Sequence, residues 1–288
     1  MKKLIMLLLC GSLLYGCSSS SYSVQVSDAQ DSLMSGSQLD ITKQDYFEYL
    51  LDNYGAQEIV TTILDNIADK EITDQEEIDK LVQQREDEYA EYADGDLEKY
   101  AQNLGYESKE DYLNESLIPE VKQELLRQKY IEEHLDDLIA EYQVCSMKKI
   151  VVEKESEALE IIEKSTDEKA FDQLLEDYGS DGEDAGVVTK NSSLDDNLKD
   201  KLSDLNKVEK DGVYSQAIKL SDDNYAVVYL YDTAHKNTDG IVSALASDGE
   251  VQEKAEGAYL KKYHFEVHDD LLKTEIKEIK EISDNYLE

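Results

Sequence analysis

Residues 148–231 interrupt a chain that is otherwise patterned for helix, and they set its fold class. The interruption opens on a short apolar run, Lys149-Ile150-Val151-Val152, which reads as a strand. Two helical patterns follow, one with Ala158, Leu159 and Ile162, the other with Phe171, Leu174 and Leu175. Residues 178–186 then form a Gly/Asp-rich turn, and Leu194, Leu198, Leu202 and Leu205 mark a short helix. Residues 213–220 and 225–231 close the segment as two strands. Strand, helices, turn, helix and two strands in about ninety residues are enough for one small domain. Because strand side chains alternate between faces, Ile150, Val152, Val227 and Tyr229 are expected to receive Leu159, Ile162 and Leu174.

The flanks read as helices. In residues 39–144, Thr42 and Asp45 make a cap pattern, and Phe47, Leu50, Leu51 and Tyr54 follow at helical spacing until Gly55 ends the run. Ile59, Ile63 and Ile67, with Val60 and Leu64 beside them, form the face of a second helix. Thr73-Asp74-Gln75-Glu76 reads as a capping box before the stripe Ile78, Leu81, Val82, Tyr89 and Tyr92. Ser108 and Asp111 start a short helix. Pro119, the only proline, sits in the first turn of a long one carrying Val121, Leu125, Ile131, Leu138 and Tyr142. Residues 241–288 are helical again, with Tyr259, Leu272, Ile276 and Ile279. One or two helices alone cannot bury a core. The fold class is therefore α+β and mostly helical.

The N-terminus carries its own signal. Lys2 and Lys3 precede the apolar run Leu4 to Leu9, which is too short for a bilayer span of about twenty residues. Leu14-Tyr15-Gly16-Cys17 has the form of a lipobox and resembles bacterial lipoprotein precursors. That resemblance implies cleavage after residue 16 and lipidation of Cys17, with acyl chains holding the protein at a membrane. Residues 17–38, rich in Ser, Asp and Gln, read as a flexible tether. Cys10 leaves with the signal, so Cys145 has no partner within the chain and reads as a small buried hydrophobe.

A net charge of −38 argues against nucleic acid or anionic lipid as a partner and favours cationic clients or bound divalent ions. The acidic loop from Asp177 to Gly182 lacks calcium-loop spacing: its third position is Gly179 and its twelfth Val188. His134, His235, His264 and His268 lie scattered on polar stretches and read as surface residues. No residue set reads as a metal or cofactor site.

Phe171-Asp172-Gln173-Leu174-Leu175, Gly182-Glu183-Asp184-Ala185-Gly186 and Asn224-Tyr225-Ala226-Val227-Val228 resemble, in that order, the parvulin family of peptidyl-prolyl isomerases. Leu194 and Leu198 stand where that family has an apolar Met/Phe pair, and Lys149 and Ala226 where it has two buried histidines. The resemblance implies a prolyl isomerase fold, while these substitutions imply that the activity is weak or lost. These four residues make a degenerate pocket, and no residue is assigned a catalytic role.

Ile41-Thr42-Lys43-Gln44-Asp45-Tyr46-Phe47, followed by Tyr54-Gly55 and the Thr73 phrase, resembles the start of the PrsA-type foldase lipoproteins of Gram-positive bacteria and their SurA-like relatives. That resemblance implies a discontinuous helical chaperone domain, residues 39–143 and 234–288, with a parvulin-like module inserted at 144–233. The implied function is a foldase on the extracytoplasmic face of the cell membrane, anchored through lipid on Cys17. Its partners are unfolded or partly folded secreted proteins, and a homodimer is left open. Twenty tyrosines and no tryptophan fit an adaptable client surface, with Tyr46, Tyr49, Tyr89, Tyr92, Tyr100, Tyr106 and Tyr112 as candidates. The alternative is a solute-binding lipoprotein of a transporter, whose usual two α/β lobes are at odds with the long helical start.

Overall fold

The computed structural model describes residues 27–37 and 39–278. The signal segment, Cys17 and the start of the tether lie outside them. The fold is mostly helical α+β, with an antiparallel sheet inserted between helical segments. It comprises two compact units. One holds the described residues before Val60 together with Phe265–Glu278, the other Val60–His264.

In the first unit, β1 (Ser32–Gly36) and β2 (Leu39–Thr42) form an antiparallel hairpin that feeds directly into helix α1 (Lys43–Glu71). Residues 32–36, within the span read as a tether, are strand, and residues 39–42 are strand rather than helix. Residues 17–38 read as a linker from their Ser, Asp and Gln content, yet pairing with β2 gives the backbone of Ser32–Gly36 hydrogen-bond partners. The cap read from Thr42 and Asp45 is present and reciprocal. The Asp45 N–H donates to Thr42 Oγ1 at 3.2 Å, and the Thr42 N–H donates to the Asp45 carboxylate at 2.8 Å. Gly55 does not end a helix; it lies within α1. A Cβ there would meet Leu51 Cδ1 at 2.8 Å and Leu272 Cδ2 at 3.0 Å, so glycine makes room for helix α12 (Asp270–Glu278).

The second unit begins with the last turns of α1 and continues through α2 (Gln75–Glu91), α3 (Leu97–Leu104) and α4 (Lys109–Tyr112). Asp74, rather than Thr73, caps α2, accepting from the N–H groups of Glu76 at 3.0 Å and Glu77 at 3.3 Å. A single π-helical turn, Leu113–Leu117, leads into α5 (Ile118–Glu133). The expected long helix breaks at His134, whose φ of −123° is outside the helical range, and resumes as α6 (Leu135–Glu141). After the sheet, α10 (Thr238–Ala246) and α11 (Gly249–Lys262) return to pack on α5. There the Tyr259 hydroxyl donates to the carbonyl of Leu126 at 3.2 Å, and Lys254 pairs with Glu141 at 2.6 Å.

Between these helices lie β3 (Cys145–Val152), α7 (Glu155–Lys164), α8 (Glu168–Tyr178), β4 (Gly182–Val188) and α9 (Asp196–Leu205). Short strands β5 (Gly212–Val213) and β6 (Ile218–Lys219) precede β7 (Tyr225–Tyr231). The sheet order is β4-β3-β7-β5, with β6 also on β7, all antiparallel. One face packs Cys145, Met147, Ala226, Val228 and Leu230 against Leu198, Leu202 and Leu205 of α9. The other packs Ile150, Val152, Val227 and Tyr229 against Ala158, Ile161 and Phe171 of α7 and α8.

Three local features differ from those the sequence pattern predicts. Residues 182–186 are edge strand rather than turn, with a register shift opposite Met147 and Lys148 that leaves Ala185 as a bulge. Gly186, at φ +66°, supplies the left-handed conformation beside that bulge. Residues 213–220 hold two short strands rather than one. On α7, Leu159 is 47 % exposed while Ala158 and Ile161 point inward, so the helix is rotated from the expected phase. Ile162 and Leu174 do pack on this face, as expected.

Candidate functional site

The pleat of β3 and β7 decides where the four pocket residues go. Lys149 lies opposite Val228, and Val151 lies opposite Ala226, in the β3–β7 register. Period-two alternation therefore puts Lys149 and Ala226 on the face covered by α9, beside Leu198 and with Leu194 packed at its margin. Ala226, Leu198 and Leu194 share one apolar cluster, and the pleat sets Lys149 on the same side of the sheet. Helix α9 is fixed there through its cap: Asp195 accepts from the N–H of Asn197 at 2.9 Å, from the N–H of Ser221 at 3.0 Å and from the Ser221 hydroxyl. The Ser221 hydroxyl foremost holds the Asp195 carboxyl below its ordinary pKa.

What this face can do chemically is limited. Ala226 is 0 % and Leu198 1 % exposed, so neither meets a substrate from solvent. Lys149 reaches to the neighbouring strand and pairs with Glu183 at 2.9 Å. Twisting a prolyl amide against a barrier of about 18–20 kcal/mol requires an open apolar seat and hydrogen-bonding groups around the peptide. Ala226 supplies no such group, and the Lys149 ammonium is turned toward a carboxylate.

The opposite face holds a charged cluster that the sequence reading missed. Lys148 is buried, with its ammonium 2.6 Å from Asp172 and 2.9 Å from Glu168 and over the ring of Tyr231 at 5.4 Å. Burial pulls its pKa down, but the bonds to Asp172 and Glu168 more than offset this and leave it above the ordinary value. The spacing of Glu168 and Asp172, four residues apart on α8, was the available signal.

Cys145 is buried as expected. Its Sγ lies 3.5 Å from the carbonyl of Gln143, and burial pushes the thiol pKa up to about 12, which leaves it inert at neutral pH.

Of the seven candidate tyrosines, Tyr46 and Tyr49 are exposed on α1 in the first unit. The other five converge in the second unit. Tyr100 stacks on Tyr89 at 5.7 Å, sits beside Tyr92 at 6.5 Å and meets Tyr112 edge-on at 5.7 Å. Tyr106 joins Tyr112 at 5.3 Å. Exposure grades across the cluster, from Tyr112 at 2 % to Tyr92, which is 80 % exposed. The Tyr89 hydroxyl donates to Glu120 at 2.9 Å. Burial and then this carboxylate raise the Tyr89 pKa to about 12, so the phenol stays a neutral donor.

No family model and no curated protein matches the chain. Among solved structures it is similar to the peptidylprolyl isomerase PrsA from Bacillus cereus, with 20% identity and a TM-score of 0.44 over 88% of this chain and 99% of that one. It is similar to PrsA from Bacillus subtilis, with 16% identity and a TM-score of 0.39 over 88% and 98%. A third likeness is to the foldase protein PrsA from Streptococcus pneumoniae, with 16% identity and a TM-score of 0.37 over 89% and 100%.

Proposed function

We propose that this chain is a membrane-anchored extracytoplasmic foldase that holds partly folded secreted proteins, with prolyl isomerase activity weak or lost. The order of lipobox, helical region, parvulin-like segment and helical tail supports this reading, as does the inserted antiparallel sheet. One observation carries the holding function: the first unit leaves Leu33, Met34, Ile41, Tyr46, Tyr49 and Tyr54 to solvent. Large apolar side chains left to solvent in such number favour an interaction surface. The closed face around Ala226 and the Lys149–Glu183 pair support the loss of catalysis.

Residues 144–233 serve in this reading as an inserted module, and residues 39–143 and 234–288 as the helical domain that carries it. Lipid on Cys17 holds both at the membrane. Among the described residues no helix is long and apolar enough to cross a membrane. A solute-binding role gains no support, because the strands of the second unit form one antiparallel sheet rather than two α/β lobes.

Paired assays test the proposal. The protein should suppress aggregation of an unfolded secreted protein at stoichiometric amounts, and should not speed proline-limited refolding of a model substrate. No suppression of aggregation would end the foldase reading. For the anchor, fatty-acid label should enter the wild type and be lost in Cys17→Ala; label retained by the variant would end the lipobox reading.

A further inference from the structure

We infer that the five-tyrosine cluster on α2, α3 and α4 is a docking surface for lysine and arginine side chains of an unfolded polypeptide. The inference rests on the foldase reading and names the kind of segment one of its surfaces takes.

Cations pair with aromatic faces throughout this protein. Lys190 lies 4.1 Å from the ring centre of Tyr142, Lys70 4.9 Å from Tyr263, and Lys262 5.4 Å from Tyr259. Among the described residues, by contrast, no lysine or arginine lies over any ring of the cluster. The cations near it are drawn off onto carboxylates: Arg85 to Glu88 and Glu124, Lys99 to Asp94, and Lys109 to Glu86. The most exposed ring of the cluster, that of Tyr92, is therefore left open to a cation from outside.

The surroundings favour positive charge. Residues 86–98 hold seven carboxylates and no lysine or arginine, and Glu120 sits on the Tyr89 hydroxyl. Tyr92 is the C-cap of α2, a helix with no basic residue in its last turn. Its terminal carbonyls add partial negative charge at the most exposed ring. The platform is also pre-formed, since Tyr100 is fixed between the stacked Tyr89 and the edge of buried Tyr112. An ammonium or guanidinium can settle on the Tyr92–Tyr100 surface without reordering it.

The test uses the mature protein and two short unstructured peptides, identical except that lysines in one are glutamines in the other. Fluorescence anisotropy reads their binding. The lysine peptide should bind more tightly, and Tyr92→Leu should weaken it about two- to fivefold, the range for an exposed cation–π contact. Tyr92→Phe should bind like the wild type, and the glutamine peptide should be indifferent to both changes. Raising the salt should weaken wild type and Tyr92→Leu together and preserve their ratio. Equal affinity for the two peptides would overturn the inference, as would lysine-peptide binding unchanged by Tyr92→Leu. A self-association lost in Tyr92→Leu without a change in peptide binding would assign the patch to a second copy and equally overturn it. Aggregation suppression of an unfolded secreted protein separates the two claims. If it persists, only this docking surface falls; if it is absent, the foldase reading falls with it.

Discussion

Lys149 and Glu183, neighbours across the β3–β4 ladder, form an ion pair of 2.9 Å at the edge of the sheet face that Ala226 and Leu198 close. Glu183 is more than half exposed, so the pair contributes only about 0–1 kcal/mol. The face is held by burial of its apolar side chains, and its polar centre is free to change without loss of the fold.

Cis-to-trans conversion of a short prolyl peptide should therefore proceed near its uncatalysed rate with the wild type. Placing histidine at both Lys149 and Ala226 should not restore catalysis. An imidazole at Ala226 must enter filled space, at a cost of about 1–3 kcal/mol. The peptide assay and a urea midpoint measure the two effects. Recovered catalysis at unchanged stability would show that an open cleft persists here.

Acid should weaken the fold through Glu71. Its carboxylate takes Lys129 at 2.7 Å, the Tyr263 hydroxyl at 2.8 Å and the ammonium of Lys262, tying the end of α1 to α5 and α11. The Lys129 bond foremost, then Lys262 and Tyr263, lowers its pKa from 4.5 to about 2. A carboxyl whose folded pKa is depressed contributes fully above its unfolded value and loses that contribution as pH falls through the folded one. The Tm of Glu71→Gln should lie below that of the wild type at neutral pH, and the two should converge between pH 4.5 and about 2. A constant gap across that window would refute the linkage.

How much of this was legible depends on the range of the interaction. Strand Tyr225–Tyr231 was readable to the residue, because its alternating large side chains are a local signal. Strand Gly182–Val188 was not, because Gly-Glu-Asp-Ala-Gly has no strand propensity of its own and β3 supplies its ladder. That Lys149 and Ala226 share a face follows from the pleat; that the face is closed depends on α9, about fifty residues beyond Lys149. Lys148 and Lys149 look alike in sequence, yet adjacent positions on a strand point to opposite faces, one buried and paired with two half-exposed carboxylates, the other at an edge. The tyrosines were readable as a composition, but the convergence of five of them depends on how α2, α3 and α4 pack.

Truncation after Thr233 should produce an aggregating protein. It removes α10 and α11, whose Ile241, Leu245, Val251, Ala255 and Tyr259 are buried, and uncovers the face of α5 that they pack against. Within the full chain, Tyr259→Ala should cost about 3–5 kcal/mol as a large-to-small core change, and Tyr259→Phe about 1 kcal/mol for its bond to Leu126. Light scattering and urea unfolding measure these. A monomeric truncation as heat-stable as the full chain would rule out a shared core.

The sheet hands over to the helices at a polar junction built on Asp248. Asp248 is buried, caps α11 by accepting from the Glu250 N–H at 3.0 Å, and takes the Asn191 amide at 3.0 and 3.1 Å and the Thr189 hydroxyl at 3.2 Å. Thr189 and Asn191 directly follow edge strand β4. Between them, the Lys190 N–H donates to the carbonyl of Tyr142 at 2.8 Å. One carboxylate thus fixes both the exit of the sheet and the start of a helix that packs on α5. Asp248→Ala removes the cap and leaves the buried Thr189 hydroxyl without its acceptor, for a combined loss of about 2–4 kcal/mol. Asp248→Asn keeps an oxygen for the cap but turns a second amide toward Asn191, so the loss should fall between wild type and alanine. Urea unfolding of the three proteins orders them. An alanine variant within about 0.5 kcal/mol of the wild type, the spread of ordinary surface changes, would show that this junction is held elsewhere.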